Sequence, residues 1–193
     1  VTGPGRVRFR RATTVDSERI ARLHADSWRR HYRGAYSDSF LDGDVATDRL
    51  AVWTARLSDP GADSCTIVAE DAGGLVGFAH TRFDDDRRWG ALLDNLHVAH
   101  TRQRDGTGSH LVALTARALA ERHPASGLYL WVLEQNRAAQ AFYATLGGRC
   151  VERAVVDPPG GDATRLHGTP RKLRYAWSAG EVTRLARRAD PDP

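Results

Sequence analysis

The stretch from Leu92 to Ala120 limits most tightly what this chain can fold into. Leu92, Leu93, Leu96 and Val98 form a buried-strand run, and the basic segment His100 to Arg104 ends it. Leu111, Val112, Leu114, Ala118 and Leu119 then recur at helical spacing. The pattern predicts a strand, a loop hinged on Gly106 and Gly108, and a helix that begins near Gly108. Glycine permits positive φ and a close backbone approach, so several N–H groups of the loop can point outward together. They join the positive end of the helix macrodipole, which makes this loop a candidate anion cradle, with Arg102 and Arg104 adding charge beside it. The same residues also fit a plain strand-to-helix connector with two solvated arginines.

A dinucleotide-binding turn is the nearest alternative for the glycines, and the sequence departs from it. The third glycine position of that fingerprint is Leu111, and the loop from Ala99 to Asp105 is long where such a fold turns tightly off its strand.

The chain has 193 residues, which predicts one domain with a sizeable core. With 41% hydrophobic and 27% charged residues, composition favours neither disorder nor a membrane class. No apolar run approaches the ~20 residues of a membrane span, and Val1 to Arg11 lacks the apolar core of a signal peptide. A cytoplasmic protein is expected. Cys65 and Cys150 lie in separate strand-like runs without metal-ligand spacing, so both are expected as reduced core residues, with no metal. The net charge of +4 and pI near 9.5 suit an anionic ligand. Nucleic acid is not an expected partner, because helix-turn-helix, zinc and aromatic-basic patterns are missing. Lys172 is the only lysine.

Around this centre, Val7 to Arg10 reads as a first strand, and a helix capped at Thr13 or Thr14 runs toward Gly34. Trp28, Tyr32 and Tyr36 are four residues apart and would form one stripe on a continuing helix, for which core packing is the more frequent reason. A second helical region spans Asp44 to Leu57. Cys65 to Glu70 and Leu75 to His80 read as a hairpin, with Thr81 to Gly90 as a polar connection in which Asp84 to Asp86 are solvated. Leu128 to Leu133 is a strand, and Asn136 caps a helix carrying Ala139, Phe142, Tyr143 and Leu146 on one face. Arg149 to Val156 and Leu173 to Trp177 are closing strands around a Pro/Gly-rich loop, Asp157 to Pro170, which either folds over a site or hangs in solvent. Residues 1–178 are expected to form the domain, followed by a short basic helix and a frayed end in 179–193. The fold class expected is α/β, with one mixed, mostly antiparallel sheet flanked by helices.

The run Gln103-Arg104-Asp105-Gly106-Thr107-Gly108 resembles the Q/R-x-x-G-x-G/A signature of the GNAT superfamily of acyl-CoA-dependent N-acetyltransferases. A second match follows in the right order: Leu130 to Tyr143 is similar to that family's strand followed by N-x-x-A-x-x-F-Y. The resemblance is good over about Thr66 to Val151 and loose elsewhere. It implies splayed central strands and transfer of an acetyl group from acetyl-CoA to a primary amine of a small molecule or peptide by direct attack. It also implies a cofactor site made of Leu96, His97, Val98, Arg102, Gln103, Arg104, Asp105, Gly106, Thr107, Gly108, Ser109, Asn136, Ala139, Phe142 and Tyr143. Within it Val98 N–H would face the thioester carbonyl, Asn136 would contact the pantetheine arm, and Tyr143 would act as general acid.

Near the base position the strand offers Asp94, Asn95 and His97, and Glu134 lies at the mouth; Asp94, His97 and Glu134 are the candidates. Asp94 falls on the face of Leu96 and Val98 by strand alternation, an apolar setting that raises a carboxyl pKa, while His97 faces the other way. The acceptor side borders the first helical region in the family, so Trp28, Tyr32 and Tyr36, with Asp26, Asp38 and Asp42 near them, suggest a wall for a cationic amine. The expected partner is that amine; self-association into a homodimer is left open. A catalytically idle acyl-CoA sensor of the same fold is the alternative function, and the complete glycine signature together with Tyr143 argues against it.

Overall fold

The computed structural model describes residues 6–189; the expected frayed end at 190–193 lies outside them. The strands are β1 (Arg8–Arg11), β2 (Ser64–Asp71), β3 (Gly74–Asp86), β4 (Gly90–Val98), β5 (Leu128–Leu133), β6 (Arg149–Val155) and β7 (Arg171–Trp177). The helices are α1 (Ser17–His31), α2 (Asp38–Asp42), α3 (Val45–Ser58), α4 (Thr107–Arg122), α5 (Arg137–Thr145) and α6 (Ala179–Ala186). All seven strands join one sheet in the order β1-β2-β3-β4-β5-β7-β6. Every neighbouring pair is antiparallel except β4 and β5. The mixed, mostly antiparallel α/β sheet expected from the sequence is what forms.

Strand alternation divides the core into two layers. Ile67, Ala69 and Ala79 point to one face, where they pack with Leu111, Val112 and Leu119 of α4, Tyr143 of α5, and Val182 and Leu185 of α6. Val68 and Phe78 point to the other, against Ile20 of α1 and Trp53 of α3. Trp53 is fully buried, and its indole N–H donates to His24 Nδ1 at 2.9 Å, so this large ring brings no unpaired donor inside.

Two expectations change, and the loop left open takes a defined place. Thr81 to Asp86 is strand, not connection. Its Phe83 is buried and two of its three carboxylates have partners: Asp85 accepts from the Tyr129 hydroxyl, and Asp86 accepts the N–H groups of Arg88 and Trp89 at 2.7 and 2.9 Å, while Asp84 is exposed as expected. Cys65 is buried, but Cys150 is exposed, because β6 is an edge strand whose residues are nearly all exposed. The Asp157 to Pro170 loop docks beside the end of α1. The Ser37 N–H donates to the Arg165 carbonyl, and the His167 N–H to the Ala35 carbonyl, both at 2.9 Å, while Arg165 pairs with Asp48 at 2.6 Å.

The β4–β5 contact positions the site. The two strands pair only at Ala91 with Leu128 and Leu92 with Tyr129, and then part. At the apex the backbones touch: the Ala91 N–H donates to Gly127 O at 3.0 Å, and a Cβ on Gly90 would lie 2.3 Å from that oxygen. Gly90 also has φ +85°, so both its conformation and its surroundings require glycine. Gly90→Ala is expected to cost about 2–3 kcal/mol, through backbone strain and overpacking together. Gly74→Ala, at φ +118° but facing open space, should cost only the strain. Thermal melts by circular dichroism compare the two. Equal melting temperatures would mean that the apex tolerates a side chain.

Candidate active site

Beyond Leu92 the gap between β4 and β5 opens into a cleft of about 640 Å³. A bulge assists the parting. His80 pairs with Asn95 and Thr81 with Leu93, so Asp94 is an extra residue on β4 with no partner on β3. The strand's remaining hydrogen bonds show which way its amides point. The Ala99 N–H donates to Val76 O on β3 at 2.8 Å. Alternate amides point to opposite edges, so the Val98 N–H faces the gap that β5 has vacated.

The glycine loop forms one end of the cleft. Gly106 is the N-cap of α4 at φ 92°, and the first-turn amides of a helix have no partner within it. Asp105 Oδ1 accepts one of them, Thr107 N–H, at 2.9 Å. Arg104 has φ 68°, the only non-glycine positive φ among the described residues, a strained arrangement that turns the chain into the helix. A Cβ on Gly108 would lie 3.4 Å from Phe142 and 3.6 Å from Val98, so glycine keeps this corner open between α4, α5 and β4.

Of the expected cofactor residues, Leu96, His97, Val98, Arg102, Gln103, Arg104, Gly106, Gly108, Ser109, Asn136, Ala139, Phe142 and Tyr143 line the cleft. Asp105 and Thr107 do not: Asp105 ties the turn together, and Thr107 is buried under it. Arg102 is held by an ion pair with Asp71 at the β2–β3 turn and lies 3.6 Å from Asp105, so its charge is largely met within the protein. Asn136 caps α5, with Oδ1 accepting the Ala139 N–H at 3.1 Å, and lines the cleft as well. Tyr143 is buried at the cleft wall, and desolvation pushes its hydroxyl pKa well up, with the nearby Tyr32 adding to the shift. It therefore stays protonated.

Among the base candidates, Asp94 and His97 line the cleft and Glu134 does not; the Glu134 carboxylate pairs with Arg153 at 2.6 Å. Asp94 lacks the expected apolar setting. The bulge breaks the alternation that would have put it beside Leu96 and Val98, and Arg56 of α3 pairs with it at 2.8 Å while also donating to Asn95 at 2.9 Å. His97 is buried, with Nδ1 2.7 Å from Ser27 Oγ. Burial, helped by the neighbouring His31, drives its pKa down to about 3, so the ring is neutral at pH 7.

The aromatic stripe divides. α1 ends at His31, and only Tyr32 of the three rings reaches the cleft. Trp28 and Tyr36 are core residues at 6% and 7% exposure. Arg49 already lies over the Trp28 ring, 4.3 Å from its centroid. The acids near the stripe are engaged too, Asp26 with Arg30, and Asp38 and Asp42 with Arg33. The sequence reading missed Ser27, His31, Trp131 and Leu133, which also line the cleft, as does Asn95. The pairing of Ser27 with His97 joins residues 70 apart, and no local pattern signals it. No group of three or more potential metal ligands occurs among the described residues.

Comparison with known proteins gives the same family as these features. The model of the acetyltransferase (GNAT) family matches residues 22–147. The probable N-acetyltransferase Rv2775 of Mycobacterium tuberculosis is 28% identical over 141 residues, 72% of this chain and 78% of that protein. The uncharacterized N-acetyltransferase YuaI of Bacillus subtilis is 29% identical over 149 residues, 76% of this chain and 83% of its own. In fold, the chain is similar to the PaiA N-acetyltransferase of Thermoplasma acidophilum, solved in complex with coenzyme A. That likeness has a TM-score of 0.65 at 18% identity and covers 89% of this chain and 99% of that one. The chain belongs to the GNAT family of acetyltransferases.

Proposed function

We propose that this acetyltransferase moves an acetyl group from acetyl-CoA to a primary amine of a small molecule or peptide by direct attack, with both substrates held in the β4–β5 cleft. One observation carries the reading: a gap opened in the sheet joins a helix N-terminus, an edge amide at Val98 and a protonated tyrosine in one space. The first-turn amides of α4, with Arg104, receive the pyrophosphate. The Val98 N–H meets the thioester oxygen as charge develops on it in the tetrahedral intermediate. Tyr143 donates its proton to the departing thiolate.

The amine must lose a proton before it attacks. Asp94 is the one carboxylate lining the cleft among the described residues, and its charge draws an ammonium in and accepts the proton. The neutral His97, hydrogen-bonded to Ser27, positions the acceptor beside it. Tyr32 supplies the aromatic surface on this side, without Trp28 and Tyr36. An acetyl-CoA consumption screen over polyamines, amino acids, aminoglycosides and short peptides tests the reaction class. No turnover with any amine, despite CoA binding, would favour the idle acyl-CoA sensor.

Two variants test the parts. Gly106→Val and Gly108→Asp are expected to abolish CoA binding without unfolding the protein, as seen by titration calorimetry together with circular dichroism. Gly106 faces open space, so the valine points outward, and its cost there is the positive φ and the obstructed loop. Full affinity in both folded variants would move the anion site elsewhere. Tyr143→Phe should leave acetyl-CoA affinity near normal and lower kcat by roughly 10²- to 10⁴-fold where chemistry is limiting. An unchanged kcat on a good acceptor would make Tyr143 a packing residue.

A further inference from the structure

The only lysine of the chain, Lys172, lies outside the cleft lining but against one of the residues that form it, Trp131. Lys172 on β7 pairs directly with Leu133 on β5, and Arg174 with Trp131, so these four side chains share one sheet face. Leu133 packs there with Trp28 and Tyr36. Leu130 and Val132 point to the opposite face, into the layer that holds Tyr143 and α4. Donor machinery and Lys172 thus lie on opposite faces of β5, next to the gap that runs through the sheet. The lysine Nζ sits 4.7 Å from the centroid of the Trp131 ring, and Trp131 and Leu133 both line the cleft.

The tether on this ammonium reaches out to solvent. Its ion-pair partner at 2.6 Å is Asp157, whose side chain is 88% exposed while the lysine's own is 17% exposed, so the carboxylate end of the pair is screened by water. Arg174 lies over the same ring but is fixed between Glu152 at 3.0 Å and Asp86 at 3.4 Å. Of the two cations on Trp131, only the lysine carries a nucleophilic amine once a proton is lost, and transfer to it requires its flexible four-carbon stem to carry that amine across the ring to the gap.

We infer that Lys172 is an internal acyl acceptor, self-acetylated by the acetyl-CoA bound in its own cleft; this rests on the acetyl-transfer reading given above. The ammonium gives one proton to the cleft base, its nitrogen attacks the thioester carbon, and the carbon–sulfur bond breaks as the amide bond forms. The thiolate takes a proton and leaves as CoA, and one proton goes to solvent. The product is neutral, so it gives up the pair with Asp157 and the cation–π contact with Trp131.

The test uses the whole protein incubated with isotope-labelled acetyl-CoA and mapped by mass spectrometry, beside a turnover assay with a free amine. The expected result is label at Lys172 that accumulates at a rate per molecule independent of protein concentration. It should be suppressed by excess CoA and missing in Lys172→Arg, while Lys172→Arg still turns over the free amine. Label that persists undiminished under excess CoA would be chemical acetylation, and a rate that rises with protein concentration would be transfer between molecules; either overturns the inference. Unlabelled Lys172 beside active turnover of the free amine overturns it alone. Loss of both activities overturns the acetyl-transfer reading and the inference with it.

Discussion

Two neighbouring strands that pair for only two residues and then part are the constraint on which the site depends. A strand edge inside a protein exposes N–H and C=O groups that need partners, and the gap between β4 and β5 leaves such an edge open at Val98. The fold sustains the gap with local devices. Gly90 and Gly127 let the backbones touch at the apex, and the extra residue at Asp94 bends β4 away from the ladder. The parted edge becomes the wall of a cleft because the helices on either side of the sheet close the remaining walls.

The cradle at one end has a similar economy. The groups it turns toward the cleft are backbone amides, so the loop asks only that the chain be held in the right curve. Arg104 at positive φ, Asp105 on the Thr107 N–H and the Arg102–Asp71 ion pair each hold part of that curve. Side chains that look in sequence like ligands for an anion thus divide into those facing the cleft and those keeping the loop in shape. Asp71 belongs with the second group: it accepts the Gly73 N–H at 2.7 Å and pairs with Arg102, joining the hairpin tip to the loop.

Most of the fold, and most of the residues that line the glycine-loop end of the cleft, were legible in the sequence, because both rest on local signals. The glycine pair, the Asn136 cap and the strand periods each act within a few residues. The acceptor half was less legible because it depends on distant contacts. The bulge that redirects Asp94 leaves no mark in the residue order, and its partner Arg56 comes from another element. The stripe of Trp28, Tyr32 and Tyr36 assumes a helix that stops at His31, and burial then takes two of its rings. Glu134 and Asp85 looked free in sequence, and Arg153 and the Tyr129 hydroxyl engage them. Cys150 reads as a core residue until the strand order puts β6 at the edge.

In the proposed function, acetyl-CoA completes the parted strand edge and the α4 N-terminus together. Amide hydrogen exchange followed residue by residue, with and without acetyl-CoA, measures this directly. Slowed exchange is expected at Val98 and at the first-turn amides of α4 around Gly108 and Ser109, with β1 and β2 unchanged. Unaltered exchange at Val98 and α4 at saturating acetyl-CoA would contradict it.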